Sequence, residues 1–123
     1  MKLIYRGFLL IAIAITIPLT VHAQGVTTYD GTYAGVSLTA SGGNRSCSAP
    51  APVPATLTIR NGAVQFASSN PSNPYQGTVT AQGALTARTG LGGVFTGKVE
   101  AGKITGGTNY GATCTLDFVW QKR

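Results

Sequence analysis

The sequence predicts an all-β domain, an antiparallel up-and-down meander of about eight strands that closes into a small barrel. Short runs of alternating apolar and polar residues recur along the chain, and three glycine turns join such runs in pairs. No segment after residue 23 carries a helical apolar stripe of useful length. The alternative arrangement for eight antiparallel strands in a chain of this length is a two-sheet β-sandwich.

The first 23 residues have the pattern of a secretory signal peptide. Two basic residues precede an apolar run at 7–19, which Pro18 interrupts. Small residues, Val21 and Ala23, stand at the minus-three and minus-one positions of a cleavage site after Ala23. The alternative is a membrane anchor, but a helical span needs about 20 apolar residues and this run is shorter. We therefore expect an N-terminal signal helix that is removed on export.

Cleavage there leaves residues 24–123 as one β-barrel-like domain without a transmembrane segment, located in the periplasm or outside the cell. Such a short chain buries a modest core, so a covalent link would help to hold it. Two cysteines in an exported chain are most simply one disulfide, and we expect a bond between Cys47 and Cys114.

The first strand is predicted near 28–39. Its apolar residues change parity, because Tyr33 lies on one face of an extended strand while Val36 and Leu38 lie on the other. A β-bulge at Gly35 would turn all three side chains inward.

The middle of the chain repeats one hairpin three times. The turns are predicted at Asn61-Gly62, Gln82-Gly83 and Ala101-Gly102, and their glycines are 21 and 19 residues apart. Asn-Gly is a strong signal for a two-residue hairpin turn, and the regular spacing indicates a meander. The strands after the first are predicted near 55–60, 63–67, 75–81, 84–88, 94–99, 103–106 and 112–121.

In a meander the connections alternate between the two ends of the sheet. The three glycine turns therefore share one end, here named the turn pole. The long connections 40–54, 67–74, 88–93 and 106–111 share the other end, here named the loop pole. Cys47 and Cys114 both fall at the loop pole, and closing the sheet brings the first strand beside the last, which makes the disulfide short.

The last strand should close the core, because its apolar residues alternate with polar ones and include the only Trp. Whether the predicted core fills the barrel or leaves a narrow cavity stays open. The predicted core residues are Tyr33, Leu57, Ile59, Val64, Phe66, Val79, Leu85, Phe95, Val99, Ile104, Leu116, Phe118 and Trp120.

The Gly-Thr-Tyr-Ala-Gly opening at 31–35, the glycine-turn meander and the aromatic last strand resemble the small barrels of the lipocalin and avidin kind in architecture. Tyr33 stands where such barrels commonly carry Trp. Over most of the part after residue 23, the chain is more similar to short exported bacterial proteins with a Gly-Thr-Tyr-x-Gly opening and two cysteines. Neither resemblance implies a functional residue.

The composition argues against catalysis. The only His is His22, inside the predicted signal peptide, so the exported domain lacks the usual general base and a leading metal ligand. The three carboxylates, Asp30, Glu100 and Asp117, lie on different strands or turns. We expect no enzymatic activity, no cofactor and no metal site. Nucleic acid is not an expected partner either, because the basic residues are too sparse for a binding face.

Two surfaces are candidates for recognition, one at each pole. Polar and aromatic side chains at the loop pole could hold a small molecule or a glycan, although Asn and Gly there are also ordinary turn formers. The candidates for that site are Arg45, Tyr75, Arg88, Asn109 and Tyr110. Basic side chains at the turn pole could rest on an anionic envelope surface, although such residues are also ordinary solvated strand ends. These are Arg60, Lys98, Lys103, Lys122 and Arg123.

We favour an exported, non-enzymatic interaction domain, associated with the cell envelope or accessory to another protein, whose partner is an anionic envelope surface or a protein. The alternative is a barrel that binds a small molecule or a glycan through the loop pole. A filled interior favours the first hypothesis and a hollow one the second.

Overall fold

The alternating segments form eight antiparallel strands that close into a single up-and-down barrel. The computed structural model describes residues 26–42, 47–110 and 113–123. Each strand pairs with its neighbours in sequence, and the first strand also pairs with the last. The barrel is thus confirmed over the sandwich, and the predicted signal helix lies outside the described residues. The strands are β1 Gly31–Ser41, β2 Leu57–Arg60, β3 Ala63–Phe66, β4 Tyr75–Val79, β5 Ala84–Arg88, β6 Val94–Glu100, β7 Lys103–Tyr110 and β8 Cys114–Lys122.

The predicted end of β7 was wrong by four residues. Strand β7 was expected at 103–106 but continues to Tyr110, so Gly106 and Gly107 lie within it and the expected long loop 106–111 is short. Close packing inside the barrel explains why these glycines belong to a strand. A β-carbon on Gly106 would meet the ring of Phe95 and the backbone of Thr96, so glycine stands here for close packing and not for a turn.

The predicted bulge in β1 is present, but Val36, which was expected to face the interior, faces outward. The pairing of β1 with β8 shifts register between Gly35 and Ser37. Tyr33 and Leu38 are 1% and 7% exposed, whereas Val36 is 52% exposed. A bulge adds one unpaired residue to a strand, and that residue is Val36. Because of the bulge, Tyr33 and Leu38 both face inward, although a regular strand would place them on opposite faces, and Val36 faces outward.

The three hairpin turns adopt positive φ at their glycines, which are Gly62, Gly83 and Gly102. Each turn also bonds to a following strand, because its glycine carbonyl accepts an amide hydrogen from Val79, Val99 or Lys122 at 2.7–3.0 Å. Each hairpin is thus tied to a later strand in the meander, which gives the sequence repeat a structural counterpart.

The interior of the barrel is filled by aromatic side chains. All thirteen predicted core residues are buried. Five rings pack together with centroids 4.7–6.4 Å apart, and they belong to Phe66, Tyr75, Phe95, Phe118 and Trp120. The indole of Trp120 is fully buried, and its Nε1 donates a hydrogen bond to the carbonyl of Ala55 at 2.8 Å.

The described part of the segment between β1 and β2, residues 47–56, begins at the loop pole and continues beside β1. The predicted disulfide joins Cys47 to Cys114 with their Cα atoms 5.4 Å apart. Beyond it Ala49 packs against the core, Pro54 is buried, and Leu38 donates its amide hydrogen to the Pro52 carbonyl at 3.1 Å. Within the described ranges, no helix is long and apolar enough to cross a membrane.

Candidate binding surfaces

At the loop pole, Tyr75 faces the interior and belongs to the aromatic core. Its ring stacks on Phe66 with centroids 4.7 Å apart and an angle of 10° between the planes. Burial raises the pKa of the Tyr75 phenol above its usual 10.0, and a hydrogen bond with Thr108 opposes that rise in part. Tyr75 therefore acts first as a packing residue, with one edge at the mouth of the barrel.

The two other loop-pole candidates whose side chains are described do not converge on Tyr75. Arg88 ends β5 on the outer wall, meaning the outward-facing side chains of the strands, and Asn109 lies exposed on β7. Strand β6 separates the two. Arg45 lies outside the described residues, and Tyr110 is described only by its backbone, which pairs with Cys114. Alternation along the strands thus divides this set between the two sides of the barrel wall.

The interior offers a ligand little room at this pole. Ala49, Cys114 and Thr108 are packed around the mouth, and the aromatic cluster begins directly below. In the described part of the chain, two shallow hollows lie on the outer wall. One involves strands β2, β3 and β4, and the other strands β6, β7 and β8.

A short turn before β1 covers the turn pole, where the first strand was expected to begin. Residues 27–30, here named the strap, form a turn in which the Asp30 amide donates to the Thr27 carbonyl at 3.1 Å. The Tyr29 hydroxyl donates to the Ala81 carbonyl at 3.0 Å, and the Tyr33 hydroxyl donates to the Tyr29 carbonyl at 2.6 Å. These hydrogen bonds fix the strap across the turn pole.

Asp30 fixes the strap to the first hairpin turn. Its carboxylate accepts backbone amide hydrogen bonds from Asn61 at 2.8 Å and from Gly62 at 3.2 Å. The sequence carried one signal for this contact, an acidic residue placed just before the first strand, since a carboxylate readily accepts from turn amides. The Asp30 carboxylate is therefore bonded to the first hairpin turn, whereas Glu100 lies at the turn between β6 and β7.

Basic side chains gather at the turn pole in an arc that we call the basic crescent. It comprises Arg60, Lys98, Lys103, Lys122 and Arg123, all of them exposed. Arg60 ends β2, Lys98 and Lys103 flank the turn between β6 and β7, and the last two residues end the chain beside β1. These five are all but one of the basic residues in the described part of the chain, and the sixth, Arg88, lies at the loop pole.

Two carboxylates lie at the turn pole among these cations: Asp30, which is bonded to the turn that follows Arg60, and Glu100. Glu100 is 3.4 Å from Lys98 in an ion pair whose side chains are 75% and 64% exposed, and it lies opposite Lys103 across the hairpin. An exposed pair of this kind contributes at most about 1 kcal/mol, so it leaves the cations accessible to a partner. The ends of β3, β4 and β5 carry no charge at this pole, where Ala63, Thr80 and Ala84 stand instead.

Comparison of the chain with protein-family models, with curated proteins and with solved structures finds no match. The class of protein is therefore defined by the fold itself, a closed eight-stranded antiparallel barrel with one disulfide and a filled interior. Because a fold of this kind serves many functions, function has to be argued from the surfaces.

Proposed function

We propose that this protein is an exported, non-enzymatic interaction domain that rests on an anionic envelope surface through the basic crescent. The observation that carries the proposal is the separation of charge. Five of the six described basic side chains lie at the turn pole, although both poles offer exposed positions. The partner of such a surface carries closely spaced negative charges, as the headgroups of anionic lipids do.

The filled interior supports recognition by the outer surface. The five core rings and Ala49 occupy the space that a ligand would need, and the loop-pole candidates whose side chains are described are divided between interior and exterior. A domain with this arrangement recognises a partner through its outside, where shape is convex and charge is the main source of attraction.

Export is supported by two features of the chain. The first is the apolar leader with its cleavage pattern at Ala23. The second is the Cys47–Cys114 disulfide, which is compatible with an oxidising compartment. An enzymatic role lacks support, because the exported domain has no His and both its cysteines are in the disulfide.

The attraction between the basic crescent and an anionic bilayer should be measurable. Each basic residue near such a surface contributes up to about 1 kcal/mol. Reversing one of these charges removes that attraction and adds a comparable repulsion, so the loss approaches about 2 kcal/mol, or roughly 30-fold in affinity.

The test compares two Arg-to-Glu substitutions that differ only in their pole. Arg60→Glu and Arg88→Glu change net charge equally, and each residue is exposed at the end of a short strand. Residues 24–123 are sedimented with anionic and with neutral vesicles. We expect Arg60→Glu to lose most of its binding to anionic vesicles, while Arg88→Glu keeps its binding within a few-fold. Equal losses in the two variants would show that net charge alone governs binding, and the proposal would be wrong.

Two further measurements complete the test. Arg60→Glu combined with Lys103→Glu should abolish retention without unfolding, because exposed substitutions usually change stability by within about 0.5 kcal/mol. Raising salt should have the same effect, since the screening length falls from about 8 Å at physiological ionic strength to about 3 Å at 1 M. Equal retention of the unmodified domain on anionic and neutral vesicles, or none on either, would refute the basic crescent as a docking surface.

A further inference from the structure

The strap determines where the leader joins the folded domain. Tyr29 and Asp30 are bonded to two hairpin turns, at Ala81 and at Asn61-Gly62, so the chain enters the barrel at the turn pole. The residues before Val26 therefore begin at the same end of the barrel as the basic crescent.

The connecting segment is short compared with the barrel. Six residues lie between Leu19, the last of the apolar run, and Val26, so these two Cα atoms are at most about 25 Å apart when the segment is fully extended. Strand β7 has eight residues, which is about 26 Å along the strand and about 20 Å along the axis of a tilted barrel. Laying the loop pole on a bilayer would require the connecting segment to run along the whole wall at nearly full extension.

We infer that, while the apolar run 7–19 is held in a bilayer, the barrel stands on that bilayer with its turn pole. Two attachments then act at one pole, the apolar run as a tether and the basic crescent on anionic headgroups. Removal of residues 1–23 leaves the basic crescent alone, so a firm attachment becomes a weak one that salt reverses. The role of the crescent in this inference rests on the function proposed above, whereas the role of the tether does not.

The experiment measures which pole lies near the lipid. A single cysteine is introduced in the full chain at Gln82, in the turn between β4 and β5, or at Ser72, in the loop between β3 and β4. Both positions are exposed and uncharged. Each is labelled with an environment-sensitive fluorophore after the Cys47–Cys114 bond has formed, and the wild-type chain checks that no other thiol reacts. The chains are inserted into anionic and into neutral vesicles that contain a lipid-linked quencher. We expect several-fold stronger quenching at Gln82→Cys than at Ser72→Cys on both vesicle types.

A spacer separates the two attachments. Twelve Gly and Ser residues inserted between Gly25 and Val26 free the barrel from the tether, and the same insertion between Pro71 and Ser72 serves as a control. With the spacer at Gly25, quenching at Gln82→Cys should persist on anionic vesicles and fall to the level of Ser72→Cys on neutral ones. Loss of quenching on both lipid compositions would refute the attachment through the basic crescent but not the attachment through the tether. Equal quenching of the two labels in the chain without a spacer would overturn the inference.

Discussion

Replacing Gly106 by alanine tests whether the barrel is filled, which is the property that directs recognition to the outer surface. A β-carbon at this position would point inward, against the ring of Phe95. It would also lie 2.5 Å from the carbonyl oxygen of Thr96 and 2.8 Å from the Cα of Gly97. Two of these three neighbours are backbone atoms, so a change of side-chain rotamer cannot relieve the overlap.

The expected cost follows from those contacts. Adding a methylene to a well-packed core costs typically about 1–3 kcal/mol. Because the added atom at Gly106 meets both a ring and the backbone, we expect about 3 kcal/mol. For a domain of this size, a loss of that magnitude lowers the melting temperature by more than about 10 °C.

The assay is equilibrium unfolding in urea, followed by the fluorescence of Trp120, which is fully buried. Gly90→Ala is the matched control. A β-carbon at Gly90 meets only the Asn73 Oδ1 atom, at 2.9 Å, and that side chain can move. We expect this control to change stability by within about 0.5 kcal/mol.

Combining Gly106→Ala with Phe95→Leu provides a second check. The smaller side chain removes the ring contact but not the backbone contact, so the double variant should be more stable than the sum of the single losses by about 1 kcal/mol. Equal, small effects of Gly106→Ala and Gly90→Ala would refute the reasoning. There would then be space beside Phe95, and a ligand inside the barrel would become the better hypothesis.

Three further substitutions test other parts of the structure. Replacing Cys47 and Cys114 by Ser should cost about 4 kcal/mol by the chain-entropy model, because the bond spans 67 residues; an unchanged urea midpoint would contradict this. Burial, with smaller contributions from nearby Asp30 and Tyr29, raises the pKa of Tyr33 above its usual 10.0, so its contribution to stability is complete below pH 10 and is lost as pH rises further. Tyr33→Phe should flatten that alkaline loss in urea titrations across pH, and an unchanged slope would argue against it. Ala101 adopts a φ of 49°, which disfavours L-residues, so Ala101→Asn should raise the melting temperature by several degrees, and a decrease would contradict the assigned turn.

The sequence predicted the parts of the fold that local patterns determine. Asn61-Gly62 has the positive φ values of a two-residue hairpin turn, and alternation along the strands identified the buried core. Gly106 and Gly107 were wrongly assigned to a loop because glycine is compatible with a turn and with close packing alike. The neighbour that decides between them, Phe95, lies on another strand, and local sequence does not reveal it.

The candidate sites were predicted less well, for two different reasons. The outward position of Arg88 could have been read from β5, because Leu85 and Ala87 are its inward residues and a neighbour in a strand faces the other way. The strap could not have been found in this manner. Tyr29 bonds to the Ala81 carbonyl across 52 residues, and no periodic pattern in the sequence relates the two.

The basic side chains at the turn pole are absent from the one hairpin turn that Tyr29 contacts. If the basic side chains only kept exposed strand ends soluble, all three hairpin turns should carry them, because all three are at the same end of the barrel. The turn between β4 and β5, which bonds to Tyr29, instead has neutral flanks at Thr80 and Ala84. The basic crescent runs from β6 through β8 to β2, on the remaining part of the pole. One end of the strap therefore covers this neutral turn through Tyr29, while its other end, Asp30, is bonded to the turn that follows Arg60, so the chain enters β1 between the cations of β8 and that of β2.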